Sequence, residues 1–355
     1  MRNEMNNQTP SFLGDNLSPY AGFYFNPRVW LVERPPNDKN LQGELIDLTS
    51  LWDVVYESRL RSGLGVKGLR FGLFVFDFDP VTTQIRKIKT FHDLAAVNLT
   101  RAQIMNAFSL LVCSAVSKRN KFSLDKRRVH LSDLIGFQFF DDLPKAMGFG
   151  DVETPKLLPR HIKASTSHLL QFGGHVHYDL QVELTVQGVM RYLLSREIID
   201  EAFCELDALL ADGRLDVLQM VELLAQAASS VEDHNYALGL TISFSVAERL
   251  ISKMWSEFAS EALNAERKKR LLDYRAYTIS IQAETLSILG KISSEVFSKF
   301  TVARKARNDW IHGLNPVSVD AAIASMDMTV ALLRVIESFE LSIPINLRVH
   351  TVGRG

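Results

Sequence analysis

Cysteine is almost absent from this chain. Two occur in 355 residues, Cys113 and Cys204, far apart and each inside an apolar stretch. That excludes a disulfide framework and a thiolate metal cluster, and fits a reducing compartment. Both read as small buried residues. An excess of one charge sign is also missing: 40 Lys and Arg stand against 41 Asp and Glu. No global field draws the protein to nucleic acid or an anionic membrane, so a polyanion site must be a local patch. The least polar run, Ala107 to Val116, falls well short of the roughly 20 residues that span a bilayer. The start, MRNEMNNQTPSF, is polar where a signal peptide would be apolar. Repeats and low-complexity tracts are lacking too. What is present, 46% hydrophobic and 23% charged residues over a length suited to two domains, describes an ordinary globular protein. The expected setting is cytoplasmic, without a membrane.

Period divides the chain. Residues 1–45 scatter Pro10, Pro19, Pro27, Pro35 and Pro36 among aromatics. Residues 70–91, RFGLFVFDFDPVTTQIRKIKTF, read as a hairpin with one well-buried strand, broken at Asp79-Pro80. Asn98 or Thr100 is placed to cap a helix running to about Lys118. After Gly173-Gly174, HVHYDLQVELTV alternates strictly: Val176, Tyr178, Leu180 and Val182 face one side, His175, His177 and Asp179 the other. That is the pattern of a half-buried antiparallel strand over 175–186. From about residue 190 the period becomes 3.6, predicting helices near 190–210, 214–230, 234–262, 266–290, 292–311 and 318–341, with Ser318 as an N-cap. The expected fold is α+β: a mixed or β-rich N-terminal domain, 1–190, then a helical bundle, 191–355.

Two polar residues break the apolar stripes of that bundle. Ile292, Val296, Phe300, Ala303, Trp310 and Ile311 form a stripe roughly 100° wide, and Arg307 falls inside it. A guanidinium keeps its charge, so there it needs a carboxylate, carbonyls or a phosphate. In the helix at 234–262, Ala237, Leu240, Phe244, Ile251, Trp255 and Phe258 form the stripe, with Glu248 in its middle. Two readings stand side by side: a structural Glu248–Arg307 ion pair, or a phosphate-handling site. Gly313 reads as the helix stop, which leaves His312 at a frayed end, free to turn toward Arg307.

The segment Arg307-Asn308-Asp309-Trp310-Ile311-His312 resembles the RX4-6H motif of the HEPN superfamily, helical nucleotide-binding domains that often act as ribonucleases. Asn directly follows the Arg, as is common in that family, and the motif lies at a helix end before a Gly. The segment YALGLTISFSVAERLISKMW, 236–255, is similar to the Glu-bearing helix of the ApeA-like HEPN branch. The resemblance covers about residues 214–341 and none of the N-terminal half. It implies a metal-independent endoribonuclease that needs no cofactor, a toxin or antiviral-defence effector whose substrate is RNA. Two motifs would face each other across a homodimer to form one composite site. Arg307 and His312 would be catalytic with Asn308, Arg304 and Lys305 would contact substrate, and Glu248 would support them. The N-terminal domain would answer a trigger or regulatory partner. The rival readings are a non-catalytic dimerisation module and a nucleotide-binding regulator. Residues 211–355 carry 6 Lys and 10 Arg against 7 Asp and 10 Glu, less basic than an RNA-binding surface is expected to be.

Other groups read as structure first. His175, His177 and Asp179 share a strand face that could bind metal but equally suits a solvated face. Asp77 and Asp79 precede Pro80 as turn residues. The run Arg267-Lys268-Lys269-Arg270 reads as a solvated helix start, with RNA contact as the alternative.

Overall fold

The structure, a computed structural model, describes residues 20–24, 29–33, 53–70, 72–81, 91–120, 135–139, 157–159, 192–261 and 264–347, together with Leu124 and Val129. The fold is α+β, as expected: a small, largely antiparallel sheet region, then a run of helices. The chain forms two compact units. Unit 1 is Met1–Phe108 with Val129–Arg214, and unit 2 is Ser109–Arg128 with Leu215–Gly355. The change of period at 190/191 precedes this division by one helix. The strand expected over 175–186, with its His175, His177 and Asp179 face, lies outside the described residues.

Unit 1 is built on a six-stranded antiparallel sheet in the order β3-β4-β5-β1-β6-β7. Its strands are β1 (Tyr20–Tyr24), β3 (Val54–Arg59), β4 (Gly65–Leu69), β5 (Leu73–Asp77), β6 (Ile135–Phe139) and β7 (Leu157–Pro159). A parallel pair, β2 (Val29–Leu31) and β8 (Tyr192–Leu194), forms a second sheet, with the Leu31 N–H also donating to the Arg70 carbonyl just past β4 at 2.9 Å. β5 is the well-buried strand read from the sequence. It lies between β4 and β1 and is buried from Leu73 to Phe76, as a continuous apolar run should be. Its hairpin partner among the described residues is β4, and the turn between them needs Gly72: φ is +95°, and a Cβ there would sit 2.6 Å from the Val29 carbonyl oxygen. Of the two expected turn residues, Asp79 lies in the turn, whereas Asp77 is the last residue of β5, paired with Tyr20 and Gly65; the Asp79 N–H donates to Asp77 Oδ1 at 3.1 Å. Residues 82–90, the far side of the expected hairpin, lie outside the described residues.

Helix α1 (Phe91–Asn120) begins earlier than Asn98 and Thr100 suggest. Both lie inside it, and the Thr100 hydroxyl donates back to the Ala96 carbonyl at 3.1 Å instead of capping. Helix α2 (Arg196–Ala211) completes the core of unit 1. Phe203 stacks on Phe108 at 4.3 Å and on Tyr56 at 5.4 Å, and Phe108 meets Phe74 and Phe76 edge-on. The Tyr56 hydroxyl donates to Asp200 at 2.8 Å, and burial with that neighbouring carboxylate pushes its pKa far above the ordinary phenol value. Among the described residues one segment, Ala95–Arg119, is long and apolar enough to cross a membrane, but 83% of its apolar window is buried in the protein. Cys113 is buried as expected, whereas Cys204 is exposed, because it lies off the Ile199–Phe203–Leu206 face of α2.

Unit 2 holds α3 (Leu215–Glu232), α4 (Tyr236–Ser260), α5 (Ala265–Leu271), α6 (Ile279–Ile288), α7 (Ser294–Gly313) and α8 (Val319–Glu337). The helix expected over 266–290 is two helices, α5 and α6, separated by exposed residues 272–276. Asn235, Asn264, Ser293 and Ser318 cap α4, α5, α7 and α8 by accepting backbone N–H bonds. α3 and α4 pack closely at Gly239, where a Cβ would lie 2.5 Å from Val231 Cγ2 and 3.0 Å from the Ala227 oxygen. α4 and α8 share a buried hydroxyl cluster: Ser243 and Ser325 meet at 2.8 Å, and Thr329 donates to the Ser243 carbonyl at 3.0 Å. The segment after α8 is fastened to the α1 residues of the same unit. The Ser342 N–H donates to Ser114 Oγ at 2.9 Å, and the Ser117 and Ser342 hydroxyls meet at 2.9 Å.

Candidate functional site

The first half of α7 is core. Val296, Phe300 and Ala303 are buried, after a buried Ile292, and Phe300 stacks on Phe244 of α4 at 5.5 Å. Lys299 ties the same stretch to α8 through Asp327 at 3.2 Å. Past Ala303 the cover ends, and no residue from Arg304 to Gly313 is buried. The apolar stripe read from the sequence is therefore half right: Trp310 is half-exposed and Ile311 is 44% exposed. Arg307 follows the stripe only as far as Phe244. Its guanidinium lies over that ring, 5.7 Å from the centroid.

Glu248 lies one turn beyond Phe244 on α4 and is half-buried. Burial raises its pKa from the usual carboxylate value, while the nearby Arg307 charge pulls it back without cancelling the effect. The two charges thus feel each other, yet they form no ion pair within 4.0 Å. Among the described residues, no protein acceptor takes a hydrogen bond from the Arg307 guanidinium. It keeps its five N–H donors for water or a ligand.

Helical spacing sorts the other motif residues. Arg304, Asn308 and His312 recur every fourth position and so line one face of α7. Arg307 lies about 100° round the helix from Asn308. Arg304 and Asn308 are half-exposed, and Lys305 and His312 are exposed. The structure brings together Arg307, Phe244 and Glu248. It sets Asn308 and His312 on an adjoining, solvent-open face, so one chain does not close Arg307 and His312 on a single point.

The expected frayed end is absent. α7 continues through Gly313, and Leu314 takes the left-handed conformation, φ 54° and ψ 25°. Its N–H donates to the Trp310 carbonyl at 2.9 Å, and the Asn315 N–H reaches the Asp309 carbonyl at 3.3 Å. The bond from the left-handed Leu314 to Trp310 is that of an αL cap, and it holds His312 in a formed last turn. The Asn315 side chain lies over Gly313: a Cβ there would meet Asn315 Nδ2 at 2.9 Å.

Phe244 as a platform for Arg307 was not read from the sequence; the signal was its position one turn before Glu248. A hollow of about 410 Å³ opens elsewhere on unit 2, lined in part by Lys118, Lys299, Asp327, Arg334 and Glu340, and no motif residue lines it. No cluster of three or more metal-ligating side chains occurs among the described residues. Comparison of the chain with models of known protein families, with characterised proteins and with solved structures finds no match.

Proposed function

We propose that the protein is a cytoplasmic, metal-independent endoribonuclease that acts as a homodimer, in the manner of HEPN toxins and antiviral effectors. The observation that carries the reading is Arg307: a guanidinium held over Phe244 beside Glu248, without a contact ion pair, on the helix that ends in His312. A guanidinium whose N–H donors are uncommitted to a carboxylate is able to take a phosphate in their place. Ile311 and Leu314, 44% and 73% exposed on either side of His312, offer apolar surface for a two-fold contact. Such a contact would join the separated faces of two α7 helices into one site.

RNA carries its own nucleophile. Neutral His312 takes the 2′-OH proton as the 2′ oxygen attacks phosphorus. Protonated His312 of the partner subunit gives a proton to the 5′ oxygen as the P–O5′ bond breaks. Arg307 from each subunit holds the non-bridging oxygens as charge builds on the phosphorane. Asn308 orients these groups, and Arg304 and Lys305 bind flanking phosphates. Incubation with total RNA, with and without EDTA, tests the reading. The expected products carry a 2′,3′-cyclic phosphate and a 5′-OH and persist in EDTA. His312→Ala should fold normally and lose about 10²- to 10⁴-fold in rate. Cleavage abolished by EDTA, or retained in His312→Ala, rejects it.

The near-neutral charge of residues 211–355 favours one alternative, a regulator that holds a small phosphorylated ligand at Arg307 and His312 without cleaving RNA. Nucleotide binding in the absence of RNA cleavage would select it.

A further inference from the structure

The second concentration of basic residues in unit 2 lies away from α7. Residues 264–276 are exposed throughout except Leu271. They carry Arg267, Lys268, Lys269, Arg270 and Arg275 against Glu266 and Asp273, a local net charge of +3 in a chain whose total is −1. No carboxylate lies within 4.0 Å of these five cations among the described residues. The knob is nonetheless firmly mounted. Leu271 is 8% exposed, the Trp255 indole N–H donates to its carbonyl at 2.8 Å, and Tyr277 packs 5.2 Å from Trp255. Asn264 caps the start of α5. Beyond it Tyr274 is 73% exposed, with the Arg275 guanidinium 5.8 Å from its ring centroid.

We infer that this knob is a docking surface for single-stranded RNA. Four successive cations at 100° intervals encircle α5, so they cannot all face one plane. That suits a flexible polyanion that bends round a rigid post better than a flat anionic membrane. The one large apolar residue within α5, Leu271, is turned into the protein; Leu272 at its C-cap is 46% exposed, and one leucine beside Tyr274 is too small an apolar face to insert into lipid. An exposed tyrosine beside a guanidinium is a stacking platform, and an unpaired base is what it accepts. Duplexes keep their bases stacked, so the surface selects single strands. The choice of RNA over other single-stranded polyanions rests on the ribonuclease reading above.

The test uses the full chain carrying His312→Ala, so that bound RNA survives, and fluorescence anisotropy with a labelled oligouridylate over a range of salt. Arg267→Gln, Lys268→Gln, Lys269→Gln and Arg270→Gln combined should weaken binding at least about tenfold and flatten the log–log salt slope by about 3, since each single-strand phosphate left without its cation takes about 0.7 from the slope. Tyr274→Ala should weaken oligouridylate binding about 5- to 100-fold and leave weak duplex binding unchanged. All five substituted residues are exposed, and unchanged circular dichroism confirms that the variants fold. An unaltered slope and affinity in the fourfold variant overturns the inference. So does a silent Tyr274→Ala, or capture by phosphatidylserine vesicles that is lost in the fourfold variant while RNA binding is not. Cleavage by the chain without His312→Ala is read separately: RNA bound by the knob but never cut overturns the ribonuclease reading alone, and RNA cut equally well by the fourfold variant overturns the knob alone.

Discussion

Glu248 is a carboxylate in a place that disfavours its charge. Its folded pKa is raised, burial outweighing the pull of Arg307, so the native state binds this proton more tightly than the unfolded chain does. The linked stability is therefore present below the ordinary carboxylate pKa and is lost as pH rises through the raised one. Glu248→Gln should stabilise the protein at pH 7, with the gain vanishing as pH falls below about 4.5. Thermal melts of both chains from pH 4 to pH 8 check this; a gain that grows on acidification would contradict it. Leu314 is strained in a different way. A non-glycine residue at φ 54° costs about 1 kcal/mol, and at 73% exposure its side chain recovers little. At concentrations low enough to keep the chain monomeric, Leu314→Gly should raise the melting midpoint by about 2–4 °C. Gly313 is the helix stop read from the sequence, but the left-handed residue is Leu314, where nothing in a leucine signals it. The route by which Arg307 leaves the core was equally illegible: the apolar stripe continues on paper to Ile311, but cover for that half of α7 depends on what packs against it, which periodicity does not encode.

Among the elements, the long amphipathic helices were legible nearly end to end, since burial on one face writes a 3.6-residue period into the sequence. Ser318 was legible too, because an N-cap oxygen serves N–H groups that have no other partner. The break between α5 and α6 was not, as no Gly or Pro marks it and an exposed polar turn carries no period. α1 erred in the opposite direction: Asn98 and Thr100 suit a cap, but a helix buried along most of its length tolerates both in its interior. The tight α3–α4 packing yields a prediction. Gly239→Ala would normally favour a helix by up to about 1 kcal/mol. Here the new methyl meets a backbone oxygen that cannot rotate away, at 3.0 Å, and Val231 at 2.5 Å. Net destabilisation of about 1–3 kcal/mol is expected, measured by urea unfolding. Unchanged or greater stability would mean that α3 and α4 can separate without cost.

For the whole molecule, the α+β class followed from the single change of period, whereas the two-part membership of unit 2 did not. Sequence patterns show where elements lie along the chain; they do not show that residues 109–128 cluster with residues beyond 215. Assembly offers a prediction at this scale. Light scattering should give a dimer, and Leu314→Glu, placed on exposed apolar surface, should shift it toward monomer and reduce RNA cleavage together. Loss of dimer without loss of cleavage would exclude a composite site.

The fastening of Ser342 to Ser114 and Ser117 joins residues 228 and 225 positions apart in the chain. During synthesis the α1 part of unit 2 emerges early and waits for Ser342, which is made 228 positions after Ser114. At about 5–20 residues per second, that wait lasts on the order of ten seconds or more. Through most of it, the Arg307–His312 helix is not yet made. Unit 2 closes at this point only once residue 342 has been made, and a fragment that begins at residue 191 lacks the Ser114 and Ser117 side of the closure.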